Sequence, residues 1–147
     1  MAHSCFNRQQ PCLTKYLTSL CLLGGCILPL MVDINSSHLL NPDWDSHARV
    51  HEAWRLSTNL FIFLLAIFLL WSKGQEILAS LLSLCIHLGF VISALLMPFY
   101  GGEPIGEGIP EPEIINTPLN VLVFFFLFSL QSFVLFLLLK ERINPKG

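Results

Sequence analysis

Four stretches of this chain are long and apolar enough to lie in a bilayer, and they limit what it can become. A helix crossing the hydrocarbon core needs about 20 predominantly apolar residues. Such runs extend from about Tyr16 to Val32, Leu56 to Trp71, Ile77 to Phe99 and Pro118 to Leu139. The second run continues outward through a polar first turn or two, so its helix should start near Ser46. The chain is 54% hydrophobic and only 12% charged, with a mean hydropathy of +0.66. Ordinary soluble domains carry about 25% charged residues, and a soluble core of this length could not hide so much apolar surface. The expected fold is all-α: one domain over residues 1–147, an integral membrane four-helix bundle with the lipid bilayer as its main partner. A net charge of −2 and the lack of a basic tract give no reason to expect nucleic acid.

The basic residues set an expected orientation, because cytoplasmic loops are enriched in Lys and Arg. With both termini cytoplasmic, the inner segments hold Arg8, Lys15, Lys73, Lys140, Arg142 and Lys146, and the outer loops hold only Arg49 and Arg55. Eight of the ten acids then lie outside, leaving Glu76 and Glu141 within. Loops 33–55 and 100–117 are therefore expected to be extracytoplasmic. Ser72-Lys73-Gly74-Gln75-Glu76 is a short turn that makes the second and third helices antiparallel neighbours. Thr117-Pro118 reads as an N-cap followed by proline at the first helical position. The first span could instead be a cleaved signal peptide, and Leu23-Gly24-Gly25-Cys26 resembles a lipobox. Apolar sequence continues to Val32, however, and cleavage at Cys26 would strand half a span. Asn35-Ser36-Ser37 fits a glycosylation sequon but lies too close to the membrane to be used. The five cysteines form no C-x-x-C, which argues against a zinc or redox motif.

The most informative segment is polar and runs from Asp33 to Arg55, with three of the five histidines, four carboxylates and two of the three tryptophans. Asn41-Pro42 marks a turn, and Asp45 or Ser46 can cap the second helix. His47 and His51, four apart on that helix, share one face. Two imidazoles at this spacing can bind one transition metal. Asp33 and His38, from the end of the first helix, would complete the shell. Zinc takes three or four such ligands, and non-haem iron can use two His and one carboxylate. The candidate polar site is therefore Asp33, His38, Asn41, His47, His51 and Glu52, with Zn or Fe as the possible metal on Asp33, His38, His47 and His51. A purely structural account also stands. Trp44, Trp54 and Trp71 would be interfacial anchors, Arg55 would snorkel, Arg49 would pair with Glu52, and Asp43 and Asp45 would serve as cap and turn residues.

The run Asp33, Asn35, His38, Asn41, Pro42, Trp44, His47, Ala48, Arg49, His51 resembles the signature of an uncharacterised family of small four-helix membrane proteins from fungi and bacteria. Its members read approximately D-W-N-x-T-H-x-x-N-P-x-W-P-P-H-A-K-x-H between the first two spans. The likeness covers about twenty residues and the four-span layout, and Asp45-Ser46 stands where the family has a proline pair. The resemblance implies that the segment is a site without naming its chemistry.

The second outer loop carries Glu103, Glu107, Glu111 and Glu113 among Gly and Pro, with no basic residue. Glu103 and Glu107 could close over the histidine segment as a lid, or the loop could be a solvated acidic surface. Inside the third span, His87 shares a face with Ser80, Ser83 and Ala94, and Gln131 in the fourth span is its expected partner. Intramembrane ionisable residues usually face the bundle interior, either as a hydrogen-bonded core histidine or as a ligand or proton relay. Six phenylalanines between Phe124 and Phe136 favour contact with lipid or a lipophilic molecule. Two functions compete. One is an enzyme or ligand-binding protein with an outer polar site acting on a lipophilic small molecule. The other is a non-catalytic bundle, an assembly subunit or lipid-interacting protein whose polar turn is structural. A sterol-isomerase-like pocket would need a carboxylate opposite His87 and none is available. No run of charges crosses the membrane, which argues against a channel or proton-coupled transporter.

Overall fold

A computed structural model describes residues 13–105 and 112–144. It contains four helices long and apolar enough to cross a membrane, Leu13–Asp33, Ser46–Ser72, Glu76–Tyr100 and Leu119–Ile143. They pack as a bundle. The expected spans are all present, each extended by a few residues into its polar flanks. Asp45 caps the second helix, its carboxylate accepting from the His47 N–H at 2.8 Å. The fourth helix starts one residue later than expected, because Thr117-Pro118 pairs with Glu113–Ile114 in a two-residue antiparallel hairpin. Ile115 and Asn116 at its tip both have positive φ, as a two-residue hairpin turn requires.

The bundle is inside-out relative to a soluble one. Phe61, Leu64, Leu95, Phe126, Phe133 and Phe136 point outward. The fully buried positions include Thr18, Ser80, Ser83, His87 and Gln131, beside small apolar residues such as Ala66 and Ala79. Small and polar residues at helix contacts allow close backbone approach and interhelical hydrogen bonds where lipid removes the hydrophobic drive for association. Leu22, Ala66, Leu70 and Ala79 form an apolar knot where the first three helices meet.

The first and third helices run parallel and in register. Thr14 donates to Glu76 at 2.9 Å and Thr18 shares a hydrogen bond with Ser80 at 3.1 Å, both across 62 residues. The same offset sets the Gly25 backbone against the His87 ring and brings Cys21 level with Ser83. The match arises because small or polar residues recur with one spacing in both helices, at 14, 18, 21, 25 and at 76, 80, 83, 87. Near its middle the first helix widens into a π-helical turn, Leu23–Ile27. Proline at 29 brings no N–H, and the Leu28 N–H reaches back five residues to the Leu23 carbonyl. This turn presents Gly24 to Leu127 and Gly25 to His87. At the Glu76 end, Trp71 donates to Ser19 at 3.0 Å and meets Tyr16 edge-on, tying the second helix to the first.

Candidate functional site

The segment joining the first two helices folds around its own polar side chains. The Asn35 carbonyl oxygen accepts from the backbone of Ser37 and His38, and its amide donates to the Val32 carbonyl at 2.8 Å. Asn41 accepts from the Asp43 N–H, an Asx turn that starts the reversal at Pro42. The His38 Nδ1 lies 2.9 Å from the Ser37 hydroxyl, and its ring meets Trp44 edge-on. His47 and His51 meet edge-on one turn apart with Nε2 atoms 3.0 Å apart, close enough for one ring to donate to the other. Both are exposed, and His51 also stacks on Trp54.

The expected four-ligand metal site does not assemble. Among the described residues no three His, Cys, Asp or Glu side chains are grouped to hold a metal ion. The physical reason is competition for Asp33. Its carboxylate is taken by Arg55, whose Nη2 lies 2.5 Å from Asp33 Oδ2. Arg55 also grips Glu52 with two bonds, Nε to Oε2 at 2.9 Å and Nη2 to Oε1. Glu52 therefore pairs with Arg55 rather than with Arg49, and Arg55 bridges two carboxylates instead of snorkelling. A guanidinium forked onto carboxylates is among the stronger polar contacts available. It clasps the end of the first helix to the start of the second.

Beside this clasp the four helices splay to leave a pocket of about 830 Å³. Its rim carries Asp33, His38, Glu52, Arg55, Asn59 and Asn120, and its floor carries Leu28, Ile62, Ile86, Phe90 and Phe124. Phe90 and Phe124 stack with centroids 4.2 Å apart. Pro112 also lines the pocket, so both polar loops lie at this end of the bundle. Glu103 faces a smaller adjoining cleft of about 150 Å³. Glu107, the other expected lid residue, lies outside the described residues.

The predicted polar site thus divides. Asp33, His38 and Glu52 reach the pocket, while Asn41 shapes the turn and the His47–His51 pair stands apart on the exposed face. Arg55, Asn59 and Asn120 were not expected to belong to the site. An arginine at the threshold of an apolar run, three residues after a glutamate, was the available signal for the first. His87 sits behind the pocket wall, in contact with Gly25 and Phe124, both of which line the pocket. Among the described residues neither of its ring nitrogens makes a hydrogen bond of good geometry, the Cys21 backbone being only loosely in reach, and the expected bond to Gln131 is not formed.

No family model, curated protein or solved structure matches the chain. The class defined by the fold and the pocket is accordingly a broad one: a small helical bundle apolar enough to cross a membrane four times, with an amphipathic pocket at one end.

Proposed function

We propose that the chain is a multi-pass membrane protein that binds a lipophilic small molecule with a hydroxyl or amine head group in this pocket. The carrying observation is that a single cavity combines a polar rim with an apolar floor drawn from all four helices. Sites for small ligands are commonly apolar clefts with a few convergent polar groups. Here Asp33 and Glu52 together outweigh Arg55, so the rim keeps unspent acceptor oxygens and an excess of negative charge. That favours a donor or cation over an acid. The family likeness of the Asp33–His51 segment supports reading this end as a site, and the distribution of Lys and Arg supports an extracytoplasmic pocket with both termini cytoplasmic.

Gly89 offers a clean test. It lines the pocket, and a Cβ built there meets nothing within 4 Å. Gly89→Phe should fill the cavity while improving helix propensity, since glycine costs a helix roughly 0.5–1 kcal/mol relative to alanine. The purified chain should bind pyrene-labelled dodecylamine saturably. Unlabelled dodecylamine and dodecanol should displace it better than dodecanoate, and the folded Gly89→Phe variant should not bind it. Equal binding by that variant would remove the pocket from consideration. Orientation is checked separately in a background without native cysteines. In intact cells, Ser37→Cys and Gly106→Cys should react with an impermeant thiol reagent, and tags at residues 1 and 147 should stay protected. Labelling of either terminus from outside would invert the arrangement.

The Arg55 clasp favours a second reading, in which the polar turn serves only to fix how two helices meet in a non-catalytic bundle. That reading expects no saturable probe binding, together with loss of stability when Arg55 is replaced.

A further inference from the structure

The in-register contact between the first and third helices continues as a polar column through the centre of the bundle. At the end remote from the pocket, Glu76 accepts from Thr14, and one turn deeper Thr18 meets Ser80. Phe124 packs on His87 and Phe90, and Leu127 packs on Gly24. The antiparallel fourth helix therefore carries Gln131 to the level of Thr18 and Ser83. His87 comes next, and beyond it Gly25 and Phe124 form the pocket wall.

This column is more than a stripe of small packing residues. Ser83, His87 and Gln131 are fully buried, yet among the described residues the Ser83 hydroxyl and both Gln131 amide atoms have no partner, and the His87 ring has no more than a loose contact with the Cys21 backbone. Leaving a buried donor or acceptor unsatisfied is costly. A stripe serving only to pack helices would use alanine, glycine or self-paired hydroxyls there. Chains of His and Glu with hydroxyls inside a bundle are the material of proton relays. The charge count along the sequence misses this column, because all its members between the two titratable ends are neutral.

We propose that the column from Glu76 to His87 is a proton path joining the pocket to the opposite membrane face. Glu76 takes up a proton on its carboxylate. The hydroxyls of Thr14, Thr18, Ser80 and Ser83, with water between them, pass it on, each accepting on a lone pair and releasing its own hydrogen. His87 accepts on one ring nitrogen and releases from the other toward the pocket, so one positive charge moves and the ring is left in its other tautomer, which it and the hydroxyls must reverse before the next proton. The other buried titratable groups packed against the column are the Cys21 and Cys26 thiols of the first helix, and the second and fourth helices contribute no buried titratable group among the described residues. At the far end, Lys15 and Lys73 lie over Trp71 and Phe68, and among the described residues neither pairs with Glu76. The proposal is independent of the ligand reading, because it needs no occupant in the pocket.

The test is proton flux into liposomes holding the purified full chain and internal pyranine, driven by a potassium diffusion potential. Wild type should acidify the lumen faster than protein-free vesicles. His87→Gln, which keeps amide hydrogen bonding but cannot relay, should return the rate to the protein-free level. Glu76→Gln should do the same, and it decides the matter if the His87 variant does not fold, because the Thr14 hydroxyl can still bond an amide. Wild-type flux no faster than empty vesicles overturns the proposal. So does flux unchanged in the folded variants, or an equal leak of sodium. A column serving only to join helices would leave flux at baseline while Ser83→Ala altered thermal stability alone.

Discussion

Gly25→Ala is expected to destabilise the bundle by roughly 2–3 kcal/mol, toward the upper end of ordinary overpacking costs, whereas Gly24→Ala should be close to neutral. The two residues are adjacent, and a Cβ on either would lie 2.6 Å from its nearest neighbour. What differs is whether that neighbour can give way. Gly24 faces the Cδ1 methyl of Leu127, the end of a flexible side chain that another rotamer can withdraw. Gly25 faces the His87 ring, with Cε1, Nδ1 and Nε2 all within 3.3 Å. That ring is fully buried and held on its other side by Phe124, so the first and third helices must separate instead. Separation would also strain the Thr14–Glu76 and Thr18–Ser80 bonds of the same register. Steric trapping or thermal melting in mild detergent would measure both variants. His87→Ala should restore much of the loss in the Gly25→Ala background, giving a coupling well outside the additive range of about 0.5 kcal/mol. Equal losses for the two glycine variants would show that the π-helical turn, rather than the approach to His87, sets the cost.

The contrast between these glycines illustrates which parts of the molecule could be read in advance. The four spans were legible because hydropathy is local: each apolar run contains the information for its own helix. The Asp45 cap was legible for the same reason, as was the buried face of the third helix through Ser80, Ser83 and His87. The matching face of the first helix was not recognised. Thr14, Thr18, Cys21 and Gly25 are unremarkable alone, and only the shared spacing with 76, 80, 83 and 87 joins them. The four expected ligands are kept from grouping by a long-range competitor. His47 and His51 do meet as their spacing requires, but Asp33 goes to Arg55, 22 residues away. Read locally, Arg55 can equally be a snorkelling residue at the edge of an apolar run. Glu52 lies three residues from both Arg49 and Arg55, and local spacing does not choose between the two arginines. The closure of the helix pair chose, because only Arg55 can hold Glu52 and Asp33 together. The pocket was not legible at all, since its rim and floor come from all four helices and both loops.

Arg55→Leu is expected to cost about 1–3 kcal/mol at neutral pH, the range for losing hydrogen bonds to charged groups. Two features of the clasp set where in that range it falls. The Arg55 side chain is 42% exposed, which lowers the value, but the Asp33 and Glu52 side chains are only 17% and 15% exposed. Removing the guanidinium leaves two carboxylates close together and poorly hydrated, so the loss comes mainly from stranding them. Arg55→Lys should recover only part of the loss, since an ammonium keeps the charge but cannot fork onto Glu52 while reaching Asp33. Melting temperatures of the three proteins at neutral pH in detergent give the comparison. A double-mutant cycle with Glu52→Gln separates the clasp from simple snorkelling. In a clasp, the cost of Arg55→Leu shrinks once Glu52 is neutral, because fewer charges are stranded. For a snorkelling arginine the two substitutions would add, and the helix pair would owe its closure to the Asn35 and Asn41 turns alone.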